Sequence, residues 1–495
     1  MTPPSPCPQR VLLRFFTAAL LLCLTCPNGP AAAAQQPSLP QPQRNFVFIL
    51  IDDLGWADLS CMGSSFHETP HLDALAAEGL RFTNALAACP VCSPTRASIL
   101  TGRHPVRVGI TDWIPGQKPA ADGRQRFLHV EDRDALALEE ITFAEVLREA
   151  GYQTFFAGKW HLGGPGALPT DQGFDVNLGG ANYGQPPAGY FAPWKNPYLQ
   201  ERREGEYLTE RLTEESVSFI RNRNPQRPFL LFLSHYDVHT PIHPAAEFVE
   251  RFQQKRAELG PVPAPIAERR GLSNVRQDNP QYASMVSAID RSVGEVVSEL
   301  RSQGLLQNTT IIFTSDNGGL CTLKRPGPTS NLPLRSGKGW LYEGGIRVPL
   351  IVASPEISDR GRVCEEPVLS TDYFPTILQL AGLEARPELA ADGQSFVAVF
   401  RGERLEQQRP LAWHYPHYHG SEWTPGAALR LGDWKLIEFY EDGDAELYDL
   451  GRDPGERKNL AASQPEQLAK MRGMLAAWQK QLGAVMAAPN PNWQK

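Results

Sequence analysis

The run Cys92-Ser93-Pro94-Thr95-Arg96 brings together residue types that could do chemistry. A thiol, a proline suited to a helix start and an arginine one turn on converge there, and Gly102 suits the end of the same helix. The spacing predicts that Cys92 sits just before the helix N-terminus, with Pro94 at the first helical position. Exposed N–H groups and the macrodipole attract an anion at such a point, and Arg96 adds a fixed positive charge. The arrangement fits a reactive group meeting a tetrahedral oxyanion. Taken alone, the five residues also fit a structural cysteine near a helix start.

Further polar groups follow short apolar runs. Asn45-Phe46-Val47-Phe48-Ile49-Leu50-Ile51 ends in Asp52-Asp53, and Thr154-Phe155-Phe156 leads to Gly158-Lys159-Trp160-His161. Phe229-Leu230-Leu231-Phe232-Leu233 leads to Ser234-His235, and Thr310-Ile311-Ile312-Phe313-Thr314 leads to Asp316-Asn317. Apolar runs of this length without alternation predict strands covered on both faces, as in a parallel sheet. Helical patterns lie between them: one starting at Thr69-Pro70, one over 143–150 with Thr142 and Glu145 as a capping box, and one over 282–302. Alternating strands and helices imply a doubly wound α/β sheet, whose ligands bind beyond the carboxyl ends of the strands, where all four polar clusters fall.

Asp52, Asp53, Asp316 and Asn317 offer only oxygen ligands, the preference of calcium or magnesium rather than zinc. Adjacent carboxylates repel unless a cation or proton intervenes. Each pair alone fits a solvated turn; two such pairs at predicted strand ends of one fold favour a metal. Lys159 and His161, two apart, share one face if the segment is extended.

The chain has 495 residues with 41% hydrophobic content, enough for a large core, and divides into a larger and a smaller domain. Its formal charge of −7 leaves no basic footprint, which argues against nucleic acid or an acidic membrane surface as a partner. Arg10 and Arg14, an apolar stretch over 15–24 and Ala32-Ala33-Ala34 read as an export signal over residues 1–34, too short to span a bilayer comfortably. A secreted or periplasmic protein with no stable membrane span is therefore expected. Of eight cysteines, Cys7, Cys23 and Cys26 leave with the signal. Cys61, Cys89, Cys321 and Cys364 remain beside Cys92, an even number compatible with disulfides.

After Gly382 the composition shifts. An apolar run over 428–440 and a second over 446–450 flank Asp442-Gly443-Asp444, a hairpin signal, and a helical face runs over 465–482. A small antiparallel sheet packed with one helix is expected over 405–485, following a large domain over 42–400.

The cysteine run, with its tail Thr101-Gly102-Arg103, closely resembles the signature of type I sulfatases, members of the alkaline phosphatase superfamily. It departs at Thr95, where serine is commonest, but threonine keeps the hydroxyl. The blocks Gly158-Lys159-Trp160-His161-Leu162-Gly163, Gly337-Lys338-Gly339-Trp340 and Leu447-Tyr448-Asp449-Leu450 also resemble that family, so the likeness covers nearly all of the chain after the signal. It implies an alkaline-phosphatase-like doubly wound mixed sheet with a smaller C-terminal antiparallel sheet plus helix.

By that resemblance a maturation enzyme oxidises Cys92 to formylglycine, an aldehyde whose hydrate attacks sulfur. One calcium ion is held by Asp52, Asp53, Asp316 and Asn317, with the residue at 92 completing the shell. Arg96, Lys159 and Lys338 neutralise the sulfate oxygens. His239, matching His-x-Pro in His239-Thr240-Pro241, protonates the leaving alcohol, and His161 takes the proton that releases the covalent sulfate. His235 and His243 orient loops or contact substrate.

The run Trp413-His414-Tyr415-Pro416-His417-Tyr418-His419 fits either a substrate rim, with His414 and His417 bonding sugar hydroxyls, or core packing. The loops over 113–134 and 183–198 are further rim candidates. The expected activity is removal of sulfate from an organic monoester, with a sulfated carbohydrate favoured over a steroid or simple aryl sulfate. A phosphonate or phosphodiester hydrolase of the same superfamily and an unmatured, noncatalytic glycan-binding protein are the rivals.

Overall fold

Strands β1 (Asn45–Ile51), β2 (Leu80–Leu86), β3 (Gln153–Gly158), β4 (Val176–Leu178), β5 (Phe229–Ser234), β6 (Thr309–Ser315), β7 (Arg347–Ala353) and β8 (Arg362–Cys364) form one large sheet. Their order is β8-β2-β7-β6-β1-β5-β3-β4, and β9 (Val368–Leu369) pairs with β2. The computed structural model describes residues 44–116, 124–405 and 409–494, which belong to one compact unit. The expected export signal lies outside the described residues.

The four apolar runs of the sequence are β1, β3, β5 and β6, paired in parallel at the centre of the sheet. The sheet is mixed because β7 runs antiparallel to both β2 and β6. Pro349 sits where the β7–β2 register shifts, since a proline has no N–H for the ladder.

Alternate residues of β1 serve two cores. Phe46, Phe48 and Leu50 pack with helices Cys92–Thr101, Phe143–Glu149 and Tyr373–Leu380. Val47, Ile49 and Ile51 pack with helices Pro70–Glu78, Leu208–Asn222 and Pro280–Ser302. The sheet is thus covered on both faces, which is why its central strands lack alternation. The predicted capping box is present: Thr142 Oγ1 accepts from Glu145 N–H at 3.1 Å, and Glu145 Oε2 accepts from Thr142 N–H at 2.8 Å.

The C-terminal part is an antiparallel sheet of β10 (Leu411–Tyr415), β11 (Gly426–Leu431), β12 (Trp434–Phe439) and β13 (Ala445–Asp449). One face, with Trp413, Tyr415 and Ile437, packs on Trp340, Tyr342 and Ile346 of the larger part. The other buries Leu429, Leu436 and Leu447 against Met471 and Leu475 of helix Pro465–Leu482.

Three expectations need correction. The run over 428–440 is two strands rather than one, because Gly432 takes a left-handed φ of +60° and turns the chain back. Cys61, Cys89, Cys321 and Cys364 are free, so the even count reflects no pairing. Each is held separately: Cys89 Sγ against Thr111 O, Cys321 Sγ against Ser336 O, Cys364 on β8 and Cys61 beside Asp73. Cys92 lies inside the first turn of its helix, which begins at Cys92 after Val91 as N-cap. Pro94 is tolerated two positions later because first-turn N–H groups have no partner within the helix anyway.

Candidate active site

The carboxyl ends of β1, β3, β5 and β6 and the start of helix Cys92–Thr101 meet at the floor of a cleft of about 880 Å³. Asp52 and Asp53 leave β1, Asp316 and Asn317 leave β6, Lys159 leaves β3 and Ser234 closes β5. Gly158 makes that convergence possible: its φ is +109°, and a Cβ there would lie 1.8 Å from Ser234 O. At the helix start, Thr95 Oγ1 donates to Cys89 O at 2.9 Å and accepts from Cys89 N–H at 3.1 Å, so its hydroxyl ties the first turn to the preceding loop.

Arg96 is the hub of the floor. Its Nε donates to Asp316 Oδ2 and its Nη1 to Lys159 O and Ser234 Oγ, each at 2.8 Å. Ser234 Oγ donates in turn to Lys159 O at 2.7 Å, a positioning contact for which the sequence carries no signal beyond a polar residue at a strand end. Lys159 Nζ donates to Asp52 Oδ2 at 2.5 Å. Lys338 Nζ lies 2.7 Å from Asp53 Oδ1 and 3.5 Å from Cys92 Sγ. Cys92 Sγ is 3.6 Å from Asp52 Oδ1.

Three carboxylates, Asp52, Asp53 and Asp316, therefore face three cations, Arg96, Lys159 and Lys338. The balance is uneven from group to group. Burial, helped by Asp316 and Asp53, pushes Asp52 up to about 8 despite Lys159 and Arg96. Burial also acts on Asp53, but Lys338, His239 and Lys159 outweigh it and hold that carboxyl below its usual range. Burial pushes the Cys92 thiol up to about 12 against the pull of Lys159 and Lys338. A thiol held protonated is a weak nucleophile.

The donor set fits a hard divalent cation. Asn317 donates through Nδ2 to Asp53 Oδ1 at 2.8 Å, while its Oδ1 is buried and meets no hydrogen-bond donor among the described residues. One ligand atom each from Asp52, Asp53, Cys92 and His239 also lies within 4.8 Å of the others. Carboxylate and amide oxygens are what calcium or magnesium takes.

Two histidines have their tautomers set by backbone carbonyls, which only accept. His161 Nε2–H donates to Ile114 O at 2.5 Å, leaving a buried Nδ1 lone pair with no partner among the described residues. His239 Nδ1–H donates to Thr240 O at 2.7 Å, leaving Nε2 facing Asp53 Oδ2 at 3.8 Å. Burial, with Lys338 adding to it, lowers His239 to about 3. Burial and Lys159 likewise put His161 well below its ordinary value. His161 has a positive φ of 59°, so it and Lys159 are not two residues of one extended segment. Both still reach the floor.

The remaining sequence candidates part company. His235 is fully buried with Nε2 3.0 Å from Ser292 Oγ, beneath helix Pro280–Ser302. His414 bonds Val485 O through Nε2 at 2.9 Å, between the C-terminal sheet and the chain after its helix. His417 Nε2 lies 2.9 Å from Thr111 Oγ1, and its ring is buried. None of the three lines the cleft, because burial within the packing layers claims their rings. His243 Nδ1 accepts from Tyr190 N–H at 3.3 Å, a loop contact.

The cleft wall comes instead from Trp113, Pro115, Tyr183, Gln185, Leu323 and His419. The loops beginning near 113 and 183 had been rim candidates, but Tyr190 and Trp194 of the second are core residues. Leu320 and Leu323 carry no signal in the sequence, whereas His419 ends the run over 413–419 read as a rim candidate and is the histidine of that run that lines the cleft.

A sulfatase family profile matches residues 44–383, and one for the C-terminal part of N-sulphoglucosamine sulphohydrolase matches residues 336–482. The steryl-sulfatase of Mus musculus is 31% identical over 95% of this chain and 86% of its own. The N-acetylgalactosamine-6-sulfatase of Canis lupus familiaris is 31% identical over 91% and 86%. The crystal structure of Ps i-CgsB in complex with k-i-k-neocarrahexaose aligns with a TM-score of 0.72 at 28% identity, covering 88% of this chain and 92% of that one.

The chain belongs to the sulfatase family, within the alkaline phosphatase superfamily. It is a sulfuric ester hydrolase.

Proposed function

We propose that the protein removes sulfate from a sulfated carbohydrate, using formylglycine made from Cys92 and one calcium ion held by Asp52, Asp53, Asp316, Asn317 and the residue at position 92. The observation that carries this reading is the convergence on Cys92: Lys338 and Asp52 within 3.6 Å of Sγ, at a helix start, above oxygen donors that include an unpartnered Asn317 Oδ1. The carbohydrate preference draws support from relatives named for N-acetylgalactosamine 6-sulfate and from the neocarrahexaose complex.

When present, the aldehyde hydrate supplies a nucleophilic hydroxyl and the calcium ion a concentrated positive charge. The chain's own residues do the rest. Arg96 is fixed by three hydrogen bonds, with Nη2 3.9 Å from Asp52 Oδ1, and holds its charge at the floor. Lys159 and Lys338 can turn from carboxylates toward sulfate oxygens, compensating charge where it develops. His239 Nε2, its partner nitrogen locked on Thr240 O, donates to the departing alcohol oxygen in the imidazolium form, which an anionic sulfate at the floor favours over the neutral resting ring. His161 Nδ1, its partner nitrogen locked on Ile114 O, accepts the proton whose loss restores the resting side chain. Burial of all three cations keeps water from screening them.

The same reading takes residues 1–34 as an export signal, 42–400 as the catalytic domain and 405–485 as a C-terminal subdomain. It makes a maturation enzyme a required partner. Among the described residues no helix is long and apolar enough to cross a membrane.

Mass analysis of tryptic peptide 82–96 tests the first step, because Cys89 in the same peptide serves as an unmodified thiol reference. An aldehyde at 92 beside a thiol at 89, with aryl sulfate turned over faster than aryl phosphodiester, is the expected result. An intact thiol at 92 in every active molecule would refute the reading.

A further inference from the structure

Among the described residues, the lining of the cleft carries formal charge only at its floor, on Asp53 and Lys338, which pair with each other. Above them, among the described residues, no Lys, Arg, Asp or Glu side chain lines the wall. Lys324, next to Leu323, and Glu422, next to Ser421, face each other at 4.0 Å, the lysine largely in solvent. A substrate carrying a second sulfate or a carboxylate would have to bury that anion without a partner, which is costly.

The wall is nevertheless polar enough to read hydroxyls. Asn182, Gln185 and Thr240 stand among the flat or apolar faces of Trp113, Tyr183 and Leu323. His419 is the most defined of the polar groups. Its Nδ1 accepts from Ser421 N–H at 3.2 Å and lies 2.7 Å from Ser421 Oγ, so the ring proton sits on Nε2. That Nε2–H meets no hydrogen-bond acceptor among the described residues, and burial, with Lys338 adding to it, keeps the ring neutral. Gly339, next to Lys338, allows the approach: a Cβ there would lie 2.1 Å from His419 Nδ1 and 2.3 Å from Ser421 Oγ. A lone donor of this kind favours a ligand that brings an acceptor and rejects one that leaves it unpaired.

We infer that the group bearing the sulfate is an uncharged, hydroxyl-rich sugar ring, and that His419 is a specificity-determining residue donating from Nε2 to one of its oxygens. This rests on the sulfatase reading of the floor. A sterol would leave the wall's amides and imidazole unpaired, and a polyanionic sugar would find no countercharge among the described wall residues.

The test compares kcat/KM of the matured protein on 4-nitrophenyl sulfate, a set of neutral monosulfated hexoses and N-acetylhexosamines, the same sugars with a second sulfate, and a sterol sulfate. One neutral monosulfated sugar is expected to lead, and its second sulfate to lower kcat/KM by roughly tenfold or more. His419→Ala should lower the ratio of sugar to 4-nitrophenyl sulfate turnover by about 3- to 10-fold, with His419→Gln recovering part. A disulfated sugar or the sterol sulfate in the lead, or an unchanged ratio in His419→Ala, would overturn the inference and leave the sulfatase reading intact. Failure on every sulfate ester, 4-nitrophenyl sulfate included, would remove both.

Discussion

Asp52, Asp53 and Asp316 meet Arg96, Lys159 and Lys338 at the cleft floor; Glu343 and Glu456 meet Lys435, Arg347 and Arg430 where the C-terminal sheet joins the larger part. Both clusters are buried, and both pair acids with bases. In the second, Lys435 Nζ is 2.8 Å from both Glu343 Oε1 and Glu456 Oε1, and Glu456 Oε2 accepts from Glu343 N–H at 2.7 Å. None of that cluster's five residues lines the cleft. Each leaves buried polar atoms without hydrogen bonds, Glu456 Oε1 in the second and Asn317 Oδ1, Arg96 Nη2 and His161 Nδ1 in the first, but the first lies beneath the cleft. Burial of charge thus does not mark a function; charge left incompletely bonded beside a cavity does.

Substitutions should separate the two clusters by which quantity they change. The largest effect is expected from Cys92→Ala, which should lower sulfate ester turnover by about 10⁴-fold or more while shifting stability by only about 1 kcal/mol. Near-native turnover in a steady-state assay would break the comparison at its centre. Next comes His239→Ala, expected to cost about 10²–10⁴-fold in kcat on an alkyl or sugar sulfate. The loss should shrink on an aryl sulfate whose leaving oxygen needs no proton, and equal losses on both would remove the acid role.

For the closed cluster the prediction reverses. Lys435→Met strips the shared cation from two glutamates and should cost about 3 kcal/mol in urea unfolding, with kcat on 4-nitrophenyl sulfate held within a factor of about two. A variant as stable as the parent would show that the closed cluster is not held together by Lys435. Removal of calcium by a chelator should abolish activity, and restoring calcium at about 100 times its Kd should raise stability by about 2.7 kcal/mol. A thermal midpoint indifferent to calcium, with full activity after chelation, would leave the floor as closed electrostatically as the junction.

A further prediction concerns pH. Burial lowers His235 to about 3, from an ordinary value of 6.5. Between those values the unfolded chain binds a proton that the folded chain refuses, so stability is greatest above 6.5 and is lost as pH falls toward 3. The slope reaches about 1.4 kcal/mol per pH unit for this residue. Thermal midpoints measured from pH 7 to pH 4 should decline less steeply in His235→Gln, and parallel curves would discount the residue.

Much of this was legible before any coordinates. The apolar runs ahead of Asp52, Lys159, His235 and Asp316 carry their own strand signal, since a strand buried on both faces must be apolar throughout. The capping box at Thr142 and the C-terminal helix over Pro465–Leu482 are equally local. The residues of the floor could be named because each follows such a strand. The histidines of 235, 414 and 417 could not be sorted from His419 by type or spacing, because burial depends on what packs over a residue from elsewhere in the chain.

Local sequence therefore determined the strands, the helix that starts at Cys92 and the set of groups available to bind an anion and a cation. Tertiary structure alone decided which of those groups share one cavity, which nitrogen of His161 and of His239 is left free, and that the described wall above them lacks charge. The reason is physical: propensity and periodicity act over a few residues, whereas Arg96 to Asp316, Asp53 to Lys338 and Gly339 to His419 are contacts between distant segments, created only when the sheet and its two helical layers close.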